Sequence, residues 1–156
     1  MEKSINAGDN PIHLDLSHFI IDTFSLEDPE ASTYSPLVLA YIGDSVYDLI
    51  IKSMVVNKGN RQVQKLHNDT SKLVQASTQS LMMRAIQEHL TEVEHRIYGR
   101  GRNSKTITPA KNQSITDYRR ATGFEALIGY LYLKREYKRL MELVKIGLEH
   151  LEDEEI

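Results

Sequence analysis

The sequence contains no cysteine, and this absence excludes disulfide bridges and thiolate metal sites. It also lacks any apolar run near the ~20 residues that a helix needs to cross a bilayer. The amino terminus carries Glu2, Asp9 and Asp15, where a secretory signal would need a basic start and an apolar stretch. These absences lead us to expect a soluble protein of the cytoplasm.

Strand patterns are missing as well. Period-2 alternation with β-branched residues nowhere reaches the length of a strand, whereas apolar residues recur at spacings of three and four. With 40% hydrophobic and 26% charged residues among 156, the chain suits one compact domain. We predict an all-α fold with an N-terminal extension (1–34, including a short amphipathic helix between Ile12 and Phe24), a main domain (35–151) and an acidic tail (152–156).

The stretch from Ser35 to Val56 predicts a long helix. Ser35 can cap its first turn, and Pro36 suits the first helical position because it lacks an N–H that would have no partner there. Helical spacing predicts one buried face, formed by Leu39, Ile42, Val46, Leu49 and Ser53. Gly43 disfavours a helix interior by about 1 kcal/mol relative to alanine. We therefore expect another helix or a ligand to approach the backbone at Gly43.

Two acids of this helix have different interpretations. Asp48 lies four residues before Lys52, which is the spacing of an ordinary ion pair on a helix surface. Asp44 has apolar neighbours along the chain, and a carboxylate in apolar surroundings needs a partner or a metal ion. From this helix alone, Asp44 is either a solvated acid or a functional carboxylate.

Further helices follow. Thr91 and Glu94 form a capping box, so a short helix should begin there and end at Gly99. His67, alone in its helix, is interpreted as a structural residue. The remaining helices are predicted at Arg61–Gln75, at Leu81–Leu90 with Ser77 as the cap, at Asp117–Leu133 with Glu125 beside its apolar stripe, and at Tyr137–Leu151.

A basic segment interrupts this otherwise acidic chain, whose formal net charge is −3. Between residues 96 and 120 the only acid is Asp117, and the seven basic residues are Arg96, Arg100, Arg102, Lys105, Lys111, Arg119 and Arg120. Glycines and Pro109 predict a loop from Gly99 to Ser114. It is either a solvated loop rich in arginine or a surface that contacts phosphate, for which arginine offers paired donors.

Three stretches together resemble the endonuclease domains of the ribonuclease III family, in particular its compact Mini-ribonuclease III branch, which has no double-stranded-RNA-binding domain. LAYIGDSVYD (39–48) is similar to the signature helix of the family. GRGRNSK (99–105) resembles the RNA-contacting loop of the compact branch, and YRRATGFEALIGYLYL (118–133) resembles the second catalytic helix. The resemblance covers about 35–149, and it assigns 35–151 as the catalytic domain.

The resemblance implies roles for particular residues. Asp44 and Glu125 fall on the catalytic, metal-binding carboxylates, and Tyr41 falls on an aromatic position that packs into the partner subunit of a homodimer. The residues expected to bind RNA are Arg100, Arg102, Asn103, Lys105, Lys111 and Arg119. Larger members of the family hold further carboxylates at the positions of Ala40 and Thr122, and the compact branch shares both of these departures.

The function implied is Mg²⁺-dependent hydrolysis of double-stranded RNA, with Mn²⁺ able to substitute, leaving 5′-phosphate and 3′-hydroxyl ends. The implied substrate is a precursor of large-subunit ribosomal RNA. The alternative is a non-catalytic helical dimer that binds structured RNA as a scaffold, because Ala40 and Thr122 leave the centre poor in carboxylates. A third interpretation, a small helical interaction module, leaves the basic segment unexplained.

Overall fold

The structure, a computed structural model, describes residues 15–28, 30–104 and 114–154, and all of its regular elements in these ranges are helices. No strand occurs in these ranges, so the predicted all-α fold is confirmed. The seven α-helices are α1 (Leu16–Thr23), α2 (Pro36–Asn57), α3 (Val63–Val74), α4 (Ala76–Ile86), α5 (Glu92–Arg102), α6 (Ile115–Leu133) and α7 (Tyr137–Glu154). Short 3-10 turns lie at Ala31–Thr33 and Gln87–His89. None of the helices described is long and apolar enough to span a membrane.

The chain divides into two compact units, Met1–Glu30 and Ala31–Ile156. In the first unit, Asp15 caps α1 by accepting a hydrogen bond from the backbone N–H of His18 at 2.7 Å. Helix α1 lies within the stretch predicted as an amphipathic helix, and Ile12 lies outside the described residues.

Helix α6 is the centre of the second unit, and α2, α4, α5 and α7 pack around it. From Ala121 to Leu131 every residue of α6 is buried except Glu125. A helix covered on nearly all sides should be apolar all round. Glu125 is the one charged residue in this segment, so its position requires a specific explanation.

Glycines set the crossing of α2 and α6. A Cβ atom at Gly43 would overlap the carbonyl oxygen of Glu125 and would lie 2.7 Å from the backbone nitrogen of Gly129. A Cβ atom at Gly129 would overlap the carbonyl oxygen of Leu39 in return. The two backbones therefore touch, and the close approach predicted at Gly43 is confirmed.

The buried face of α2 differs from the prediction. Its buried residues are Leu39, Ala40, Gly43, Tyr47, Ile51 and Val55. Leu49 and Ser53 are exposed, so the prediction was wrong for these two residues. Apolar residues occupy several faces of α2, and spacing alone could not identify the face that meets α6. Tyr47 shows which face of α2 points inward, because it is buried and its hydroxyl donates to the carbonyl of Leu73 on α3 at 2.7 Å.

Helix termini confirm some capping predictions and correct others. Ser35 caps α2 by accepting from the N–H of Val38, and Thr91 and Glu94 form the capping box of α5. The cap predicted at Ser77 is wrong, because α4 already begins at Ala76 and follows α3 after the single extended residue Gln75. Helix α7 continues to Glu154, beyond the predicted end at Leu151.

The first residues of the predicted loop (Gly99 to Ser114) belong to a helix. Helix α5 runs to Arg102 with Asn103 as its C-cap, so the predicted end at Gly99 is wrong. The glycine at 101 serves packing: a Cβ atom there would lie 2.8 Å from the Cβ of Ala126 and 2.9 Å from the Cα of Gly123 on α6. Close packing against α6 thus explains a glycine that the sequence suggested as a helix terminator.

An ion pair fixes the other end of α5. Arg139 of α7 donates to both carboxylate oxygens of Glu94, at 2.8 and 2.9 Å, and to the carbonyl of His89 at 2.6 Å. Burial alone would raise the pKa of Glu94, but the hydrogen bonds from Arg139 and Thr91 lower it overall. Helix α5 is therefore held to α7 at its start and to α6 at its end.

Candidate active site

Asp44 and Glu125 come together at the crossing of α2 and α6. Asp44 follows Gly43, the residue whose backbone lies against the carbonyl of Glu125. The two side chains are in hydrogen-bonding contact, with Asp44 exposed and Glu125 partly buried. Asp48, by contrast, pairs with Lys52 at 2.9 Å, which confirms its interpretation as part of a surface ion pair.

The electrostatics of Glu125 are those of a carboxyl group that lacks a nearby cation. Burial, and after it the hydrogen bond and the negative charge of Asp44, together raise the pKa of Glu125 to about 9. A hydrogen bond with the Gln79 side chain acts in the opposite direction. Glu125 therefore keeps its proton at neutral pH when Asp44 is the only charged group beside it, and a cation between the two would favour the ionised form.

A cleft of about 270 Å³ opens over the two carboxyl groups. Ala40 and Thr122, the positions that carry carboxylates in larger members of the family, both line this cleft. The Thr122 hydroxyl donates to the carbonyl of Tyr118 within α6 at 2.9 Å. The full lining is Leu37, Ala40, Tyr41, Asp44, Ser45, Tyr118, Thr122 and Glu125.

A second cavity, of about 220 Å³, also borders Glu125. It shares Tyr118, Thr122 and Glu125 with the cleft, and its other walls are Val74, Gln75, Ala76, Gln79 and Ala121. Sequence reasoning missed Gln79. A polar residue three and four positions before the buried Met82 and Met83 was the available indication, since that spacing places it on the buried face of α4.

The predicted RNA-binding residues occupy two elements. Arg100 and Arg102 are exposed in the last turn of α5, the C-cap Asn103 is exposed, and Arg119 is exposed on α6. Within the described ranges none of these arginines forms an ion pair. Lys105 and Lys111 lie outside the described residues.

Cations of α5 and α6 converge at Tyr98. Burial raises the pKa of its hydroxyl, while the positive charges of Arg102 and Arg120 act on it in the opposite direction. Arg102 at the end of α5 and Arg120 on α6 therefore act on the same hydroxyl, and we call Arg100, Arg102, Arg119 and Arg120 together the positive surface. Gly101, on α5, packs against Gly123 of α6, which lies only two residues before Glu125.

Residues 37–136 match the Ribonuclease III domain. The chain belongs to the ribonuclease III family. It is 45% identical over 137 residues to the Mini-ribonuclease 3 of Clostridium tetani, a match that covers 87% of this chain and 89% of the relative. The Mini-ribonuclease 3 of a Thermoanaerobacter species is 42% identical over 135 residues, or 86% of this chain and 95% of the relative.

A solved structure has a similar fold. The crystal structure of a Fusobacterium nucleatum protein superposes with a TM-score of 0.70 at 28% identity, over 79% of this chain and 98% of that one. The resemblance to the Mini-ribonuclease III branch is confirmed, and so is the predicted enzyme class, a ribonuclease III family endoribonuclease.

Proposed function

We propose that this ribonuclease III family member cleaves double-stranded RNA with Asp44 and Glu125 as its catalytic, metal-binding carboxylates. The observation that carries the proposal is the contact between these two side chains, which come from separate helices and meet at the edge of an open cleft. Without a function, a carboxyl pair of this kind is unfavourable, because burial and a like charge both oppose ionisation of Glu125.

The donor set fits Mg²⁺. This hard cation prefers oxygen ligands and is usually held by one or two carboxylates, with water completing the octahedron. The described residues contain no cluster of three or more Asp, Glu, His or Cys side chains suited to a metal. Asp44 and Glu125, which line the same cleft, would hold the ion as a pair, with water or RNA oxygens replacing the carboxylates absent at Ala40 and Thr122. Mn²⁺ favours a similar set of ligands and would substitute.

The metal, when bound, would polarise the scissile phosphate and lower the pKa of the attacking water. The residues of the chain position the two carboxylates and set the charge of the cleft. Gly43 brings α2 against α6, so that Asp44 and Glu125 act at one point. Ala40 and Thr122 add no further negative charge to the cleft, which eases the approach of a phosphate. The products expected are 5′-phosphate and 3′-hydroxyl ends.

The positive surface on α5 and α6 would hold the duplex. A-form RNA is bound chiefly through phosphates and 2′-hydroxyl groups, because its deep major groove hides the base edges. Arg100, Arg102, Asn103 and Arg119 present donors for such contacts, and we extend the role to Lys105 and Lys111 on the basis of the resemblance. The packing of Gly101 against Gly123 supports this assignment, because it places the surface beside the helix that carries Glu125.

We also propose that the chain is a homodimer that uses the outer face of α2. Tyr41 is 81% exposed, and Leu37, Val38, Leu49 and Val56 lie on the same side of the helix, each at least 46% exposed. An exposed apolar face of this kind is typical of a protein interface. A Tyr41→Asp variant should shift the sedimentation coefficient to that of a monomer, and an unchanged coefficient would count against this interface.

The finer assignments, a large-subunit ribosomal RNA precursor as the substrate and the cytoplasm as the location, are proposals that rest on the relationship to the Mini-ribonuclease 3 proteins. A precursor transcript incubated with the protein tests the substrate. Staggered cuts in both strands of one terminal duplex are expected, and cleavage confined to unrelated duplexes would refute it.

The decisive experiment for the activity uses an end-labelled RNA duplex with Mg²⁺, with EDTA as the first control. Asp44→Asn and Glu125→Gln, which keep the shape of each side chain, should abolish cutting while duplex binding persists. Tight binding by the unmodified protein without cutting, in Mg²⁺ and in Mn²⁺, would instead support the scaffold interpretation.

A further inference from the structure

Gln79, on α4, is a buried polar residue beside the proposed metal centre. It is 1% exposed and lies on the buried face of α4 with Met82, Met83 and Ile86. Asp44 lines the open cleft and Gln79 lines the second cavity, and Glu125 borders both. The carboxyl group of Glu125 is therefore bounded by a negative side chain in one space and by an amide in the other.

The hydrogen bonds of Gln79 fix its direction. Its Nε2 donates to the carbonyl of Val74, the last residue of α3, at 3.1 Å. The same side chain lines one cavity with Glu125, and its polar interaction with that carboxyl lowers the pKa of Glu125. An amide nitrogen carries two hydrogens, so one can serve the backbone of α3 and the other the carboxylate.

The other end of this amide is unsatisfied. Its Oε1 is buried and has no hydrogen-bond partner within the described part of the chain. A buried acceptor without a partner is destabilising, and native proteins rarely keep one without a reason. An apolar side chain of equal length would fill the same space without this defect. Packing therefore explains the size of Gln79 but not its amide.

We infer that Gln79 is a positioning residue, which holds the Glu125 carboxylate in the orientation needed to share a divalent cation with Asp44. The inference rests on the proposed function. The bond to Val74 anchors the amide to the end of α3, and the second N–H directs the carboxylate. Outer partners of this kind orient the ligands of a metal, and their loss typically weakens metal affinity on the order of 10–100-fold.

The test replaces Gln79 with methionine, which has a similar length and no hydrogen-bond donor. Mn²⁺ binding to the full chain without RNA is measured by electron paramagnetic resonance, beside the melting temperature. We expect Gln79→Met to bind Mn²⁺ about 10-fold more weakly or worse, with its melting temperature unchanged or higher. Gln75→Met is the matched control, since Gln75 is exposed and lines the same cavity, and it should bind Mn²⁺ normally.

Unchanged Mn²⁺ affinity in a folded Gln79→Met protein would overturn the inference. If that variant does not fold, Gln79→Leu is measured in the same way, and failure of both to fold would assign Gln79 a structural role and also overturn it. The Asp44→Asn variant separates this inference from the proposed function. Mn²⁺ binding that depends on Asp44 but not on Gln79 refutes the positioning role alone, whereas an unmodified protein that binds no Mn²⁺ refutes both.

Discussion

Replacing Gly43 with alanine should destabilise the protein, although alanine is the better helix former. In an isolated helix the change would be favourable by about 1 kcal/mol. In this fold the added methyl group would overlap the carbonyl oxygen of Glu125 and lie 2.7 Å from the nitrogen of Gly129. Because both obstacles are backbone atoms, no side chain can turn away to make room.

The magnitude follows from these contacts. Carbon atoms pack best at ~3.5–4.0 Å, so α2 and α6 would have to move apart by at least about 1 Å. Overpacking of a core typically costs about 1–3 kcal/mol and occasionally more, and a clash with backbone belongs at or above the upper end. After the gain in helix propensity, we expect a net loss of about 2 kcal/mol. For a chain of this size that corresponds to a fall of about 4–8 °C in melting temperature.

The same separation should disable the site. A displacement of about 1 Å between positioned groups can reduce a reaction rate ~100-fold, and here it would part Asp44 from Glu125. The assays are urea unfolding and duplex cleavage under conditions where the variant is folded. Gly99→Ala is the control for stability, because no atom of the described residues lies within 4 Å of its added Cβ and Gly99 is helical. Equal stabilisation by both substitutions would refute the helix crossing as described.

Three further predictions concern charge. Without metal, the unfolding free energy should fall as pH rises from about 4 to about 9. The lower limit is the unfolded pKa of a glutamate and the upper limit is the folded pKa of Glu125, and between them the folded state holds a proton that the unfolded state has lost. Melting temperatures measured in EDTA across this range test the prediction. Arg139→Met should cost about 3 kcal/mol, because it leaves Glu94 buried without its partner, and urea unfolding measures the loss. Arg100→Ala should weaken duplex binding at every sequence and reduce the slope of affinity against salt by about one, as read from binding titrations at several salt concentrations.

Each of these predictions has a control. Glu125→Gln should remove the pH dependence, and persistence of the full effect would assign it to another group. Lys52→Met breaks an exposed ion pair and should cost no more than about 0.5 kcal/mol; an equal loss in Arg139→Met would contradict the importance of burial. Arg84, exposed on α4, should show an unchanged salt slope when replaced by alanine, and an equal change in slope would indicate only nonspecific attraction.

Local chemistry was readable from the sequence. The caps at Ser35 and Thr91, the helical class and the positions of Asp44 and Glu125 on two apolar helices all follow from residue type and spacing, which act within one or two turns of chain. Gly43 likewise indicated a close approach before its partner was known. The family resemblance added the expectation that the two acids meet.

Only the tertiary structure decided what depends on a neighbouring helix. The apolar pattern of α2 covers several faces, so the exposure of Leu49 and the burial of Tyr47 follow from where α6 lies. The sequence near Gly101 suggests a turn, yet packing against Gly123 keeps that residue inside α5. Gln79 is an ordinary polar residue in sequence, and it gains significance because the fold of α3 and α4 places its amide against Glu125. The proximity of two residues 46 positions apart cannot be inferred from spacing, since only the packed helices bring Gln79 and Glu125 to the same cavity.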